Sequence, residues 1–459
     1  METNFLEKSK KIHFVGIGGI GVSALARILL NGGKKISGSD TEESALTKHL
    51  EKAGAKVFIG HNEKNIDKNV DLVVRSLAIS DSNPEMKIAH KLKIPILTYP
   101  QAVGKLTRKF YTIAICGTHG KSTITAMVSK MLIENGFDPT VIIGTKIHEL
   151  GNSNFRIGKS KILVLEACEY MRAFLNYQPK IIILNNLEPD HLDYYKNFED
   201  YMSAFDEFAQ KLPKDGFIFA NLNSDSSDKL LQNLLKKHLN RANLFTYSNV
   251  QPSTDYFLNK SEITNNGQKV GEFDLQIPGE HNRINALAAL ALGINFGITP
   301  KNILKSINAY RGAFRRFEIK GHVGKTVIID DYAHHPTEIK ATLEAVREKF
   351  PKAKVCVIFQ PHQYSRTRSL LKDFGTCFEQ ADKVIIPNIY RARDSEKDVA
   401  SVSPQHLVEE INKNRKIAVF GDGLAKTLEY TKKETHNFGV IITMGAGDVW
   451  QIADGLIKQ

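Results

Sequence analysis

Two glycine-rich loops of the kind that bind phosphate groups lie in this chain, roughly a hundred residues apart. The first reads Gly16-Ile17-Gly18-Gly19-Ile20-Gly21; it has no lysine and is typical of a loop that holds a nucleotide diphosphate. The second reads Gly117-Thr118-His119-Gly120-Lys121-Ser122 and carries the Lys-Ser pair typical of triphosphate binding. Because the two loops differ in chemistry, we expect the chain to bind two different phosphorylated molecules.

The residues around each loop support this interpretation. Residues 11–15 read as a buried strand, a helix follows the first loop as far as Asn31, and residues 34–37 read as the next strand, which leads to Asp40. This order of strand, loop, helix and strand is that of a nucleotide-binding Rossmann fold. The second loop lies between a predicted strand at 111–116 and an apolar helix, and it is a shorter variant because Ile115 stands where the usual form has glycine.

The length of 459 residues is too great for a single hydrophobic core. We predict an α/β protein of three domains: residues 1–108 as a Rossmann-like domain, residues 109–312 as a P-loop domain that binds ATP, and residues 313–459 as a second Rossmann-like domain. The last contains predicted strands at 327–329, 355–359, 384–386, 417–420 and 440–443. The weak alternation of residues 221–278 predicts peripheral strands.

Candidate catalytic residues follow the predicted strands of the P-loop domain. Glu166 follows a strand at 162–165, and His191 lies just beyond a strand at 181–184. Ligands of parallel α/β sheets bind at the carboxyl ends of strands, so both side chains are candidates for holding Mg²⁺ near the γ-phosphate. In the second loop, Lys121 can neutralise the phosphates and the Ser122 hydroxyl can bind Mg²⁺.

Polar segments follow two strands of the third domain as well. Residues 330–336 contain paired Asp and His side chains suited to ribose, phosphate or an incoming nucleophile, although helix capping explains them equally well. Residues 360–368 contain arginines, one of which can bind a carboxylate through two hydrogen bonds, and the alternative is a basic surface turn.

Composition narrows the class of protein. The net charge is +12, but no dense Lys/Arg tract or aromatic-basic repeat accompanies it, so we expect no nucleic-acid partner. The four cysteines show no CxxC spacing and predict neither a disulfide framework nor a zinc site. Since no apolar run approaches the roughly 20 residues that span a bilayer, we expect no membrane span and a cytoplasmic location.

Taken together, these segments resemble the Mur ligase family of peptidoglycan synthesis. The resemblance covers essentially the whole chain, and its segments occur in the order of the family. They are residues 13–21, 38–40, 117–122, 166–169, 190–191, 281–286, 315–318, 330–338, 359–362 and 445–448.

The resemblance implies an ATP-dependent ligase with a two-step reaction. ATP phosphorylates the lactyl carboxylate of UDP-N-acetylmuramate, and the amine of L-alanine then attacks the acyl phosphate and releases phosphate. It implies that the first domain holds the UDP part, the central domain binds ATP and Mg²⁺, and the third domain brings the amino acid. The protein contributes mainly positioning and neutralisation of charge. We expect a monomer or a homodimer.

The resemblance also implies residue roles. The catalytic residues are Lys121, Glu166, His191 and His334, and the metal ligands are Ser122, Glu166 and His191. ATP binds Gly117, Thr118, His119, Gly120, Lys121, Ser122, Thr123, His281, Asn282, Asn285, Arg316 and Asp331. The UDP-sugar binds Gly16, Gly18, Gly19, Ile20, Gly21, Asp40 and Ser76, and the amino acid binds Tyr332, His334, His362 and Arg366.

The chain departs from the family pattern at three positions. Some members have acidic residues where this chain has Cys168 and Met171, so a metal role for that segment depends on Glu166. We expect Cys168 to be an ordinary packed thiol. Some members have arginine at the position of Gln363, which leaves Arg366 to anchor the amino-acid carboxylate without that neighbour.

Three alternatives remain at this point. A recycling ligase that attaches a whole peptide to the same sugar nucleotide shares most of these features. A nicotinamide-dependent oxidoreductase would explain the first glycine loop and Asp40, although the Lys121-Ser122 pair argues against it. A nucleic-acid-stimulated ATPase would explain the positive charge, and it predicts strongly salt-dependent binding.

Overall fold

The computed structural model describes residues 5–191, 194–237, 243–392 and 394–458. Its strands form three separate sheets of five, ten and six strands. The predicted class, α/β with three domains, is confirmed. The boundaries predicted after residues 108 and 312 fall between the sheets, and we propose them as the limits of the three domains.

The first sheet is entirely parallel, with strand order β3-β2-β1-β4-β5. Its strands are β1 (Lys11–Val15), β2 (Lys35–Asp40), β3 (Lys56–Ile59), β4 (Leu72–Arg75) and β5 (Ile96–Thr98). Its helices are α1 (Phe5–Lys8), α2 (Ile20–Asn31), α3 (Ala45–Lys52), α4 (Pro84–Lys91) and α5 (Tyr99–Thr107). The predicted strand, loop, helix and strand over residues 11–40 are confirmed.

The second sheet has the order β15-β14-β13-β12-β11-β10-β6-β9-β7-β8 and is parallel from β13 to β7. Its strands are β6 (Tyr111–Cys116), β7 (Thr140–Ile147), β8 (Ser153–Arg156), β9 (Ile162–Glu166), β10 (Ile181–Leu184), β11 (Phe217–Asn221), β12 (Leu244–Ser248), β13 (Tyr256–Asn259), β14 (Glu262–Asn265) and β15 (Gln268–Glu272). Its helices are α6 (Lys121–Glu134), α7 (Phe198–Ala209), α8 (Asp225–Lys237), α9 (Glu280–Asn295) and α10 (Pro300–Asn308).

The prediction for residues 221–278 is correct only in part. Strands β12 to β15 lie there, at one side of the sheet, but the segment also contains helix α8, which the prediction missed. Leu230, Leu231 and Leu234 are buried along this helix at helical spacing. The Asn, Ser and Lys residues that are frequent in the surrounding segment conceal this pattern in the sequence.

The third sheet has the order β16-β17-β21-β18-β19-β20, and only β16 is antiparallel to its neighbour. Its strands are β16 (Glu318–Val323), β17 (Thr326–Asp331), β18 (Val355–Phe359), β19 (Lys383–Ile386), β20 (Ala418–Phe420) and β21 (Val440–Met444). Its helices are α11 (Pro336–Lys349), α12 (Tyr364–Ser369), α13 (Leu371–Thr376), α14 (Glu396–Val399), α15 (Pro404–Asn414), α16 (Gly423–Glu434) and α17 (Trp450–Ile457).

Packing brings the carboxyl ends of three central strands together. Strand β6 pairs with β10 on one side and with β9 on the other, so Cys116 lies opposite Leu184 and Ile115 lies opposite Glu166. The segments that follow these strands therefore meet at one edge of the sheet. Among the described helices, none is long and apolar enough to cross a membrane.

Candidate active site

The second glycine loop joins β6 to α6, and its backbone requires glycine. Gly117 and Gly120 have φ angles of +130° and +79°. A Cβ atom on Gly120 would lie 2.4 Å from Oδ1 of Asn285 on α9, so a side chain there would collide with the neighbouring helix. The loop ends at the first turn of α6, whose free backbone N–H groups favour anions.

The ammonium of Lys121 lies inside this loop. Its Nζ donates hydrogen bonds to the carbonyl oxygens of Gly117 at 2.7 Å and Thr118 at 2.9 Å. It also contacts Oε1 of Glu169 at 3.0 Å, and that carboxylate is fully buried. Burial lowers the pKa of Lys121, but Glu169 outweighs this effect and raises the pKa above its ordinary value. The lysine therefore stays charged at neutral pH.

Ser122 and Glu166 lie next to each other beside the loop. The Ser122 hydroxyl donates to Oε1 of Glu166 at 3.0 Å, and the Gly144 N–H donates to Oε2 at 2.8 Å. His191 approaches the carboxylate that pairs with Lys121, with its Nε2 3.6 Å from Oε1 of Glu169. The structure thus brings the predicted metal ligands Ser122, Glu166 and His191 to one cleft.

The donors in this cleft suit Mg²⁺. A hydroxyl and carboxylates are the oxygen ligands that this ion prefers. Oε2 of Glu169 is a buried atom without a hydrogen-bond partner in the described part of the chain, so it is available to a cation or a water. Glu169 was not among the predicted site residues. The signal was its position three residues after Glu166, at the end of a strand that neighbours the phosphate-loop strand.

A second group of possible metal ligands lies beside His119. Ligand atoms of His119, Glu188 and His335 lie within 4.8 Å of one another. Burial lowers the pKa of His119, but Glu338 and Glu188 raise it to about 9. At neutral pH the ring therefore carries two protons, whereas a metal requires an unprotonated nitrogen. We assign this group to ion pairing, with His119 as the cation.

Eight of the predicted ATP residues line a cavity of about 380 Å³ between the central and third domains, whereas Thr118, Lys121 and Ser122 line the larger cleft described below. The central domain supplies His119, Gly120 and Thr123 from the loop and α6, and His281, Asn282 and Asn285 from α9; the third domain supplies Arg316 and Asp331. The Asp331 carboxylate is buried and accepts hydrogen bonds from the N–H groups of Phe317 and Ala333. Burial raises the pKa of Asp331 to about 6, although Arg316 opposes this shift.

The predicted amino-acid residues line a second, larger cleft of about 680 Å³, together with Lys121, Glu166 and His191. They are Tyr332, His334, His362 and Arg366. Nδ1 of His334 contacts the carbonyl oxygen of Tyr332 at 3.0 Å. Burial lowers the pKa of His334 to about 4, so the ring is neutral at pH 7.

Arg366, the predicted anchor for a carboxylate, has a carboxylate partner from the central domain. Its Nη2 donates to Oδ1 of Asp190 at 2.8 Å, and both side chains are nearly buried. Gln363, in the left-handed region at φ +74°, is buried and its N–H donates to Tyr390. The expectation for Cys168 is wrong, because this thiol is exposed and lines the cleft.

The first glycine loop follows β1 and reaches the same cleft through Ile20. The Gly18 N–H donates to Oδ2 of Asp40 at 2.7 Å, and Oδ1 of Asp40 accepts from the Thr41 N–H at 2.8 Å. One oxygen of Asp40 therefore stabilises the glycine loop, and the other stabilises the turn that follows β2. Of the other predicted UDP-sugar residues, Gly16 has φ +81° and lies against Ser76, while Gly19 and Gly21 flank Ile20.

Close approach also explains Gly21. A Cβ atom on Gly21 would lie 2.6 Å from the hydroxyl of Tyr99, the first residue of α5. The carbonyl oxygen of the neighbouring Ile20 accepts a hydrogen bond from Asn154 of the central domain at 2.5 Å. These contacts place the loop against the central domain, so all three domains contribute to the larger cleft.

Comparisons with known proteins agree with this geometry. Residues 11–111 match the family described as "Mur ligase family, catalytic domain", residues 115–293 match "Mur ligase middle domain", and residues 315–447 match "Mur ligase, glutamate ligase domain". The chain belongs to the Mur ligase family, and it is an ATP-dependent ligase.

Full-length relatives narrow the comparison. The UDP-N-acetylmuramate--L-alanine ligase of Clostridium novyi is 40% identical over 468 residues, which cover 100% of both chains. That of Alkaliphilus metalliredigens is 42% identical over 455 residues, with 98% of this chain and 97% of the relative covered.

Solved structures show the same fold. The UDP-N-acetylmuramate-alanine ligase of Thermotoga maritima superposes with a TM-score of 0.80 at 30% identity, covering 98% of each chain. A murein peptide ligase of Psychrobacter arcticus has a TM-score of 0.73 at 22% identity, also over 98% of each chain, and this likeness concerns the fold alone.

Proposed function

We propose that this enzyme joins L-alanine to the lactyl carboxylate of UDP-N-acetylmuramate, with ATP converted to ADP and phosphate, in the synthesis of peptidoglycan precursors. One observation carries the proposal. A single cleft is lined by Ile20 of the diphosphate-type loop, by Lys121 of the triphosphate loop, and by His334 and Arg366 of the third domain. Three substrates can therefore meet there. The names of the full-length relatives at about 40% identity support the same assignment.

In the first step, an oxygen of the lactyl carboxylate attacks the γ-phosphorus of ATP, and ADP leaves with the electron pair of the broken P–O bond. Lys121 and the first turn of α6 offset the negative charge of the phosphates. Ser122, Glu166 and His191 are the residues that would hold Mg²⁺. When bound there, Mg²⁺ would neutralise the phosphate oxygens.

In the second step, the amine of L-alanine attacks the acyl carbon, the C–O bond to phosphate breaks, and the amine loses a proton. His334 is suited to orient this amine. Its Nδ1–H faces the carbonyl oxygen of Tyr332, which leaves Nε2 of the neutral ring as an acceptor. Arg366 would hold the alanine carboxylate in competition with Asp190.

The UDP part of the sugar nucleotide would lie along the first glycine loop and Ser76. Asp40 would bind beside it, because each carboxylate oxygen accepts one backbone N–H, from Gly18 or Thr41, and can accept a further hydrogen bond. The Lys121-Ser122 pair and the family membership of the chain argue against a nicotinamide cofactor. We expect the enzyme to work in the cytoplasm as a monomer or a homodimer, which light scattering after gel filtration distinguishes.

Phosphate release tests the proposal. ATP, Mg²⁺ and UDP-N-acetylmuramate are mixed with the enzyme, and each amino acid is added in turn. We expect release that requires both the sugar nucleotide and L-alanine. Release with an alanine-containing peptide, but with no free amino acid, would instead assign a peptide-recycling ligase. Release without the sugar nucleotide would refute the assigned substrate.

A further inference from the structure

The nucleotide cavity and the larger cleft share a wall. His119, Gly120, Arg316 and Glu338 line both spaces. Three of these residues, His119, Gly120 and Arg316, are expected to contact ATP, whereas Glu338 was assigned no role. It lies in the first turn of α11, in the third domain, and its side chain is only 13% exposed.

One oxygen of Glu338 reaches across the domain interface to the phosphate loop. Its Oε1 lies 2.9 Å from Nδ1 of His119, which is the residue directly before Gly120. Glu188 and His335 also face the His119 ring, with Glu188 Oε2 3.6 Å from Nε2 and the two rings 5.3 Å apart. The negative charges of Glu338 and Glu188 raise the pKa of His119 to about 9, so the ring stays protonated at neutral pH.

The other oxygen of Glu338 holds the segment that carries the acceptor group. Its Oε2 accepts hydrogen bonds from the backbone N–H groups of His334 at 3.0 Å and His335 at 3.3 Å, and it lies 3.3 Å from Nδ1 of His334. Burial raises the pKa of Glu338, but His334 and His119 lower it well below its ordinary value. Because His334 is neutral at pH 7, His119 is the positive partner.

We propose that Glu338 is a positioning residue that joins the phosphate loop to the acceptor site, so that His119 and His334 are aligned together when the central and third domains are in contact. The proposal rests on the ligase function proposed above. It goes further because it gives a route by which ATP and the amino acid influence each other's binding. Such a coupling is reciprocal, so each ligand must strengthen the binding of the other by the same factor.

The variant Glu338→Gln tests this role. The amide keeps the size of the side chain, and its oxygen can still accept the N–H groups of His334 and His335. It no longer supplies a negative charge beside His119, which leaves Glu188 as the remaining carboxylate that favours the protonated ring. We expect the Kd of ATP and the KM of L-alanine both to rise. In typical coupled systems one ligand increases the affinity for the other by about 5–150-fold, and we expect this factor to fall to near onefold in the variant.

The pH dependence gives a readout that a merely structural role would not change. A group with a raised pKa is charged below that value, so the wild type should keep its affinity for ATP until the pH approaches about 9. In Glu338→Gln this loss of affinity should move down towards pH 6.5, the ordinary value for histidine. Glu188, which is still present in the variant, limits the size of the move.

Glu348→Gln is the matched control. Glu348 lies on the same helix and also crosses the interface, with Oε1 2.8 Å from Arg283 on α9, but it touches neither His119 nor His334. We expect this variant to keep the coupling and the pH profile. If both variants behave alike, or if Glu338→Gln lowers kcat with unchanged coupling and pH profile, the proposal is wrong.

Two further measurements keep the outcome clear. If Glu338→Gln is poorly folded by circular dichroism, His119→Gln replaces it, and this variant must lose the same coupling and the same step near pH 9. Phosphate release by the wild type is measured first. Failure of the wild type to respond to L-alanine would refute the proposed function, whereas a normal wild type with unchanged coupling in the variants would refute only the role of Glu338.

Discussion

The ion pair between Lys121 and Glu169 gives a quantitative test of the site. Glu169 is fully buried and the Lys121 side chain is only 15% exposed, so Glu169→Gln leaves a buried ammonium without its carboxylate. Breaking a buried pair by removing one partner typically costs about 3–5 kcal/mol. Since Nζ keeps its hydrogen bonds to Gly117 and Thr118, we expect the lower end, about 3 kcal/mol. For a domain of about 200 residues, this corresponds to a fall in Tm of roughly 6–12 °C.

Differential scanning calorimetry measures this change, with Glu134→Gln as the control. Glu134 pairs with Lys130 on the same helix, but it is 43% exposed, so its removal should cost at most about 0.5 kcal/mol. ATP should stabilise Glu169→Gln more than it stabilises the wild type, because its phosphates supply the charge that Lys121 has lost. Equal Tm values for the two variants would refute the reasoning.

The same pair has a defined pH dependence. Burial raises the pKa of Glu169, but Lys121 and His191 lower it below its ordinary value of 4.5. A carboxyl group whose pKa is lowered on folding stabilises the protein fully above its unfolded-state value, and this contribution disappears as the pH falls through the folded-state value. The difference in stability between the wild type and Glu169→Gln should therefore be complete at pH 7 and should shrink below about pH 4.5.

Other substitutions test the remaining parts of the cleft. Lys121→Ala should abolish phosphate release. The Kd of UDP-N-acetylmuramate, measured by calorimetry, should stay nearly unchanged, since the two loops belong to different domains. Loss of both phosphate release and sugar-nucleotide binding would contradict that separation. Gly120→Ala should raise the Kd of ATP at least about 10-fold, because the new Cβ meets Asn285 and a left-handed residue costs about 1–3 kcal/mol; an unchanged Kd would be contrary evidence. Arg366→Lys should raise the KM of L-alanine at least about 10-fold with little change in the Kd of ATP, because lysine cannot bind a carboxylate through two parallel hydrogen bonds. Equal effects on L-alanine and ATP would contradict a role of Arg366 in binding the amino acid.

The sequence predicts local parts of this site well. Each loop lies between an apolar strand and a helix, and this pattern spans fewer than 30 residues, so spacing alone places Lys121 and Ser122 at the start of α6. The carboxyl ends of β9 and β10 were also predictable, which placed Glu166 and His191 near the loop. Helix α8 was missed because its leucines stand among residues that also favour turns.

Partners that come from distant segments were not predictable. Glu169 reaches Lys121 only because β9 pairs with β6, and Glu338 reaches His119 across 219 residues of sequence. Periodicity does not encode such contacts, since the first depends on which strands pair within the central domain and the second on how the central and third domains are placed against each other. Cys168 was expected to be an ordinary packed thiol, but it is exposed and lines the cleft.

These distant partners share one property, and it bears on how the cleft binds its substrates. Lys121 contacts Glu169, His119 contacts Glu338, and Arg366 contacts Asp190, so each cation has an internal carboxylate within hydrogen-bond distance. At Lys121 and Arg366, a phosphate or a substrate carboxylate must compete with that internal partner. Since the ion pairs of His119 and Arg366 each join the central and third domains, replacing a partner at the interface changes the contact between domains. Binding of a substrate carboxylate at Arg366 is therefore linked to the contact between the central and third domains, because an anion that takes Arg366 must displace Asp190 of the central domain.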